Sequence, residues 1–510
     1  MELILFAGCL LAQLVSGAEQ PAVAVSRLLQ QGKPAEARAA AAEALKTRPA
    51  DAELWGLLGV ASARANDLAA AETAFRKAVV LAPRLESAWL NLGRVYQLSP
   101  AEGAAAKGIA AYDTVLRLNP ASAEAHHQLA VLLQWKGDFR GSLAHLDRLP
   151  PADRNRRAAV ALRCAGEAGL GHTAAALEAA TRLLAEPQLE AGDVLAILPV
   201  LEAHDGPVAL RLLEGLEERG LSNSQTAAHL AALQEKRGEL AKARDAYEKL
   251  ARQSPAAVEP LLQLARVAWQ QKDYEGTLGY LAHARDLEPG NPGIHFLFGL
   301  TCNEMHLPVE ARKSLEKALA LAPDNPFYNY AMGAVQLQWT DKIQAVPYFE
   351  KFLAQRPEDA RGHLALAAAY FSLYEDEKAT AQLALPLRDP QTRLGALYLM
   401  GRLAKQQNDL SGAAARFREL LALDAKSPDA HAELGTVLYD QQDYAGARRE
   451  IDAALALEPD NLLANRTLLQ LYGAARDPRV KAQTEHVQKL MQGRDERLRL
   501  LQRTIEVRPW

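Results

Sequence analysis

Cysteine is scarce in this chain. There are three in 510 residues, Cys9, Cys164 and Cys302, with no CxxC pair among them, so neither a disulfide framework nor a redox motif is expected. Aromatic residues make up only 6% although 49% of the chain is hydrophobic, a balance that suits alanine-rich helices better than a large globular core. Charge is nearly even, 58 Lys and Arg against 62 Asp and Glu for a net -4. No basic face is left for nucleic acid, and no nucleic-acid partner is expected. The longest apolar run, Leu3 to Val15, is too short to cross a bilayer as a helix, so no transmembrane segment is expected. The period-two alternation of strands is missing, and turn residues bracket stretches of helix length. HExxH, GxSxG, the P-loop and the glycine-rich dinucleotide turn are also missing. No catalytic residue, metal or cofactor is therefore expected, and the chain does not read as an enzyme.

What the chain does have is a clock. Pro255, Pro289, Pro323 and Pro357 are each 34 residues apart, and Pro49, Pro83, Pro120 and Pro459 extend the series. A period of that length marks a stack of helix-turn-helix units. Gly59, Gly93, Gly299, Gly333, Gly401 and Gly435 share one first-helix place, where a missing side chain lets the paired helix come close. On the second helix Ala71 and Ala78, Ala311 and Ala318, and Ala447 and Ala454 lie two turns apart with Phe75, Leu315 or Ile451 between them, one face of a helix. Each proline then ends its second helix, and Asp or Asn beyond it can cap the next. Units begin near 18, 52, 86, 123, 224, 258, 292, 326, 360, 394 and 428, and two degenerate pairs fit between 151 and 222. Arg148 to Arg157, with two prolines and four arginines, is the candidate hinge. Extra tripeptides are expected in turns near Leu98-Ser99-Pro100 and Ala425-Lys426-Ser427.

Trp89 to Tyr96, WLNLGRVY, matches the first-helix pattern W-x2-LG-x2-Y, and the chain resembles the tetratricopeptide-repeat family over residues 18 to 477. The resemblance implies an all-α, right-handed superhelical solenoid of about 13 helix-turn-helix repeats acting as a scaffold for a protein or peptide partner. The domains read as a signal peptide at 1–18, an N-terminal array at 19–150, degenerate repeats at 151–222, a C-terminal array at 223–477 and a capping helix at 478–510. In such an architecture first helices line the concave side, with places 5 and 12 of each unit facing the groove. From the unit at 258 onward these places carry Trp269, Phe296, Tyr330, Phe371, Tyr398 and Tyr439, rigid rings suited to a partner surface. Arg266, Arg361 and Arg402 fall beside them and could pair with a partner's carboxylates. Alanine at Tyr330 and Tyr398 is expected to weaken partner binding and leave melting unchanged. The lysine and asparagine of the co-chaperone carboxylate clamp are not at their places.

His126, His295, His363 and His431 stand where the repeat pattern has tryptophan. Whole helices separate equivalent places, so packing histidines are expected rather than a metal site. Leu3 to Val15 followed by Ser16-Gly17-Ala18 reads as a cleaved signal peptide, which gives an exported, periplasmic or secreted protein, or a cytoplasmic one if the segment is not a signal. The alternative to a groove-binding scaffold is a structural accessory subunit of an envelope assembly or secretion machine. At the other end Val480, Val487, Leu490, Leu498 and Leu501 suggest a helix that caps the array.

Overall fold

The computed structural model describes residues 20–339 and 342–491. The expected signal peptide, and Leu498 and Leu501 of the expected capping helix, lie outside them. All regular structure among the described residues is helical. The chain divides into two compact units, one ending at Ala246 and the other beginning at Tyr247.

Each unit is a succession of helix pairs in which a first helix packs on its second and then on the next pair. Ala52–Arg64 with Leu68–Leu81 is typical of the first unit, and Pro428–Asp440 with Tyr444–Leu457 of the second. Thirteen such pairs run from Pro21 to Leu457, followed by Leu462–Ala474 and Val480–Met491. Val487 is buried and Val480 packs on the core of the second unit.

Three local devices recur and explain why the sequence folds this way. The residue that turns the chain between helices is left-handed: Asn66, Lys272, His306, Tyr374, Asn408, Gln442 and Arg476 all have φ between 52° and 68°. After Asn66, Lys272, Asn408 and Gln442, as after the left-handed Gly137, the next residue is an aspartate that caps the second helix. Asp67, Asp138, Asp273, Asp409 and Asp443 accept from the backbone N–H of Ala70, Gly141, Gly276, Gly412 and Gly446 at 2.8 to 3.0 Å, satisfying a donor that would otherwise be orphaned.

The third device closes the far end of the hairpin. The proline lies just past the helix end, so its carbonyl is outside the helix ladder, and a side chain six residues on donates to it. Trp55 Nε1 reaches Pro49 at 2.9 Å, Trp89 reaches Pro83 at 3.0 Å, His295 Nε2 reaches Pro289 at 2.9 Å, His363 reaches Pro357 at 2.8 Å and Asn465 Nδ2 reaches Pro459 at 2.8 Å. Histidine and asparagine therefore replace tryptophan by its one polar property, an N–H directed at a carbonyl. This is the role of the four histidines that the sequence marks as packing residues.

The expected glycine contact is present. A Cβ on Gly59 would stand 2.6 Å from the Phe75 ring, on Gly93 2.6 Å from Tyr112, and on Gly401 2.7 Å from Phe417. The degenerate region holds one regular pair, Arg157–Gly169 with Thr173–Ala185. In the next pair the first helix is broken into Ala191–Leu195 and Leu198–His204, with Pro199 inside the first turn of the second piece. Within Arg148 to Arg157, Arg154 Nη2 donates to the Asp147 and Leu149 carbonyls at the end of the preceding helix. The extra tripeptide near Pro100 lengthens a turn, with residues 99–103 standing where 65–67 serve elsewhere. No second insertion exists at 425–427: residues 424–427 link their helices as 322–325 do, with alanine simply replacing the clock proline at Ala425.

Candidate functional site

The second unit carries the residues that sequence places along the groove. They fall into two groups. Tyr330, Phe371 and Tyr398 are only 6%, 7% and 5% exposed and belong to one hydrophobic core. Tyr330 packs edge-on to Phe349 and at 5.0 Å from Phe352, and Tyr398 packs edge-on to Phe417. Burial raises both phenol pKa values, and for Tyr398 the Glu433 carboxylate adds to it. The expectation that alanine at Tyr330 or Tyr398 leaves melting unchanged does not fit these positions. A ring three residues before the close-contact glycine reaches across the hairpin to the same second-helix rings.

Trp269, Phe296 and Tyr439 form the other group and are half-buried. Each has a ring beside it: Tyr274 at 5.0 Å from Trp269, Tyr328 at 4.8 Å from Phe296 and Tyr444 at 5.4 Å from Tyr439. In two of these the neighbour is the first residue of the second helix, so the ring is held by its own hairpin, and Phe296 and Tyr439 also pack against the hydrophobic cores beneath them. Trp339, 38% exposed, belongs with them. Its Nε1 donates to Asn303 Oδ1 at 2.9 Å, and it meets the His306 ring edge-on. Trp339 escapes the place-5 and place-12 rule because it lies two residues after Leu337.

Of the three arginines, Arg266 is half-buried. Arg361 is half-exposed and stands 3.7 Å from Asp359. Arg402 is engaged within the chain: its guanidinium lies over the Phe371 ring at 5.1 Å, and its Nε is 3.4 Å from Glu433. Lys405 Nζ reaches the same carboxylate at 3.0 Å, and the Tyr398 hydroxyl donates to it at 3.4 Å. Glu433 is 4% exposed. Burial alone would lower the Arg402 pKa, but Glu433 and Tyr398 outweigh it and leave the value raised. The carboxylate that sequence assigns to a partner is thus supplied by the next unit. Glu433 was missed because it lies 31 residues after Arg402, just short of one period, and only that offset could have flagged it.

A cleft of roughly 470 Å³ lies beside Arg361, lined by Glu358, Asp359, Leu385, Arg388, Asp389, Pro390 and Gln391 among others. It exists because the second helix of that pair, Asp376–Ala381, is only six residues long. Pro386 and Pro390 prevent its continuation. Thr392 closes the loop, donating its hydroxyl to the Pro386 carbonyl at 3.0 Å and to Asp389 at 2.9 Å. Cys164 and Cys302 are buried free thiols whose pKa values burial pushes up to about 12 and about 11, far from the reactive range. Among the described residues no three His, Cys, Asp or Glu side chains are grouped to hold a metal. No described helix is long and apolar enough to cross a membrane.

Helical hairpins in series, several of them sealed by a glycine contact and a carbonyl-capping donor, define an α-helical repeat protein. Residues 23–86 and 398–461 match one model of the tetratricopeptide repeat, and 101–163 match another. These matches and the helix-pair architecture support a tetratricopeptide-repeat protein. No curated protein matches it in sequence. Among solved structures it is similar to the APC/C hetero-tetramer Cut9-Hcn1, at 14% identity over 88% of this chain and 95% of that one with a TM-score of 0.41. It is also similar to a tetratricopeptide repeat protein from Parabacteroides merdae, at 14% over 48% and 98% with a TM-score of 0.40. The pilF protein of Pseudomonas aeruginosa is similar at 19% over 40% and 93% with a TM-score of 0.35.

Proposed function

We propose that this protein is an exported, non-catalytic scaffold that holds a protein or peptide segment against the first helices of its second unit. The observation that carries the reading is the set of half-exposed rings at Trp269, Phe296 and Tyr439, each steadied by a second ring and so able to give contact area at small entropic cost. Arg266 and Arg361 supply the polar contacts beside them. Tyr330, Phe371, Tyr398 and Arg402 support this surface from below. Export is argued from Leu3 to Val15 and Ser16-Gly17-Ala18, and mass spectrometry of the mature chain tests it: a first residue at Glu19 supports export, and retention of Met1 or Glu2 opposes it.

Partner capture by the full chain tests the binding surface. Trp269→Ala with Tyr439→Ala is expected to weaken capture at least tenfold, the scale of losing hot-spot rings, with the melting temperature nearly unchanged. Undiminished capture would contradict the proposal. It would favour a structural accessory subunit without a groove ligand, a reading that the filled stretch at Tyr330, Phe371 and Tyr398 supports.

A further inference from the structure

The hairpin of Ala123–Trp135 and Phe139–Asp147 is joined by two imidazoles. His126 stands where other units have tryptophan, and its Nε2 donates to the Pro120 carbonyl at 3.1 Å. A carbonyl only accepts, so that nitrogen carries the proton and Nδ1 is left as an acceptor. His145 Nδ1 lies 2.9 Å from it, with the ring centroids 5.2 Å apart, and must be the donor. One proton therefore lies between the two nitrogens. Equivalent places in other units join a histidine to the residue 19 further on by a different partner: His363 meets the Gln382 amide at 2.7 Å, and His431 meets the Glu450 carboxylate at 2.7 Å. Of these three only the first pairs a base with a base.

We infer that the His126–His145 pair is an acid-sensitive latch, holding this hairpin closed near neutral pH and loosening it as the second imidazole is forced to take a proton. A pair with both rings charged would set N–H against N–H at 2.9 Å. The surroundings offer little relief. Asp113 of the preceding helix and Asp138 of the turn favour the charged His145, while burial, His126 and Arg148 oppose it, and the net effect lowers its pKa from the ordinary 6.5. From the following helix, Arg163 is already spent on Asp147 at 2.6 Å. Neighbouring His127 is also held below 6.5, by burial first and Arg156 next, against the pull of Glu124 and Asp153. Because these values lie lower in the folded than in the unfolded chain, the unfolded chain takes up protons first. The stabilisation is complete above 6.5 and is lost as pH falls below it, by about tenfold in the closed-to-open ratio per pH unit for each proton excluded.

Amide hydrogen exchange on the full chain, corrected for the intrinsic pH dependence of exchange, tests the latch between pH 7 and pH 5. Protection over residues 124–147 is expected to fall tenfold or more, while that of Leu68–Leu81, in a hairpin without histidine, changes less than twofold. His145→Gln copies the neutral partner found at Gln382 and should hold the fall to less than threefold. His126→Trp restores the repeat's own donor to the proline carbonyl and should do the same, so either variant decides if the other fails to fold. Constant protection in the wild type, or an equal fall in a folded variant, would overturn the inference.

Discussion

The hairpins are tightest at the single methylene missing from each close-contact glycine. Gly401→Ala would force a Cβ to 2.7 Å from the Phe417 ring, and overpacking of this kind costs about 1–3 kcal/mol. Urea unfolding should show the loss, and Phe417→Leu added to it should recover part, since Leu315 serves the equivalent place beside Gly299. Tyr398 behaves as a core residue. Its replacement by alanine empties the space beside Phe417 and removes a donor to buried Glu433, for about 3–5 kcal/mol by analogy with other large aromatic truncations. Little change in melting for Tyr398→Ala would mean that the ring faces solvent and belongs to the partner surface. The left-handed turn residue is a third point of leverage. Lys272 at φ 60° occupies a region that costs an L-residue about 1–2 kcal/mol. Lys272→Gly relieves this at some cost in unfolded-chain entropy, so a small rise in melting temperature is expected.

At the scale of the element, the departures from regular repeats are where prolines intervene. The six-residue helix Asp376–Ala381 and its closing loop depend on Thr392, fully buried, with its hydroxyl on Pro386 and Asp389. Thr392→Val strands these acceptors, a loss of about 1–3 kcal/mol, and limited proteolysis should then cut within residues 382–392 where the wild type resists. Most elements were legible beforehand because the period fixes glycine, alanine and proline together, so that each helix is bounded several times over. The shortened helix was not, since Pro386 and Pro390 sit where the clock places a helix end and a turn, and nothing in the spacing shows which wins. Asp67, Asp138, Asp273, Asp409 and Asp443, which cap five of the second helices, were visible in the sequence but lay outside the proline-centred pattern. Register alone also placed Tyr330 and Tyr398 on the groove side, because place in a helix fixes direction but not whether a ring is long enough to fold back onto its neighbour.

For the whole molecule, a repeat array distributes stability among nearest neighbours rather than in one core. Gly59→Ala and Gly401→Ala should therefore lower protection mainly in the hairpins around each site, and equal losses throughout the chain would show a cooperativity that such an array lacks. The central claim is that the first-helix face of the second unit is where a partner lies. Site-specific photo-crosslinking in the native host addresses it most directly, with the reactive group placed at 269, 296 or 439 and, for comparison, at exposed second-helix positions 313 or 418. The account predicts one discrete adduct shared by the three groove positions and none from the outer two. Adducts from the outer positions alone, or none from any groove position, would contradict it.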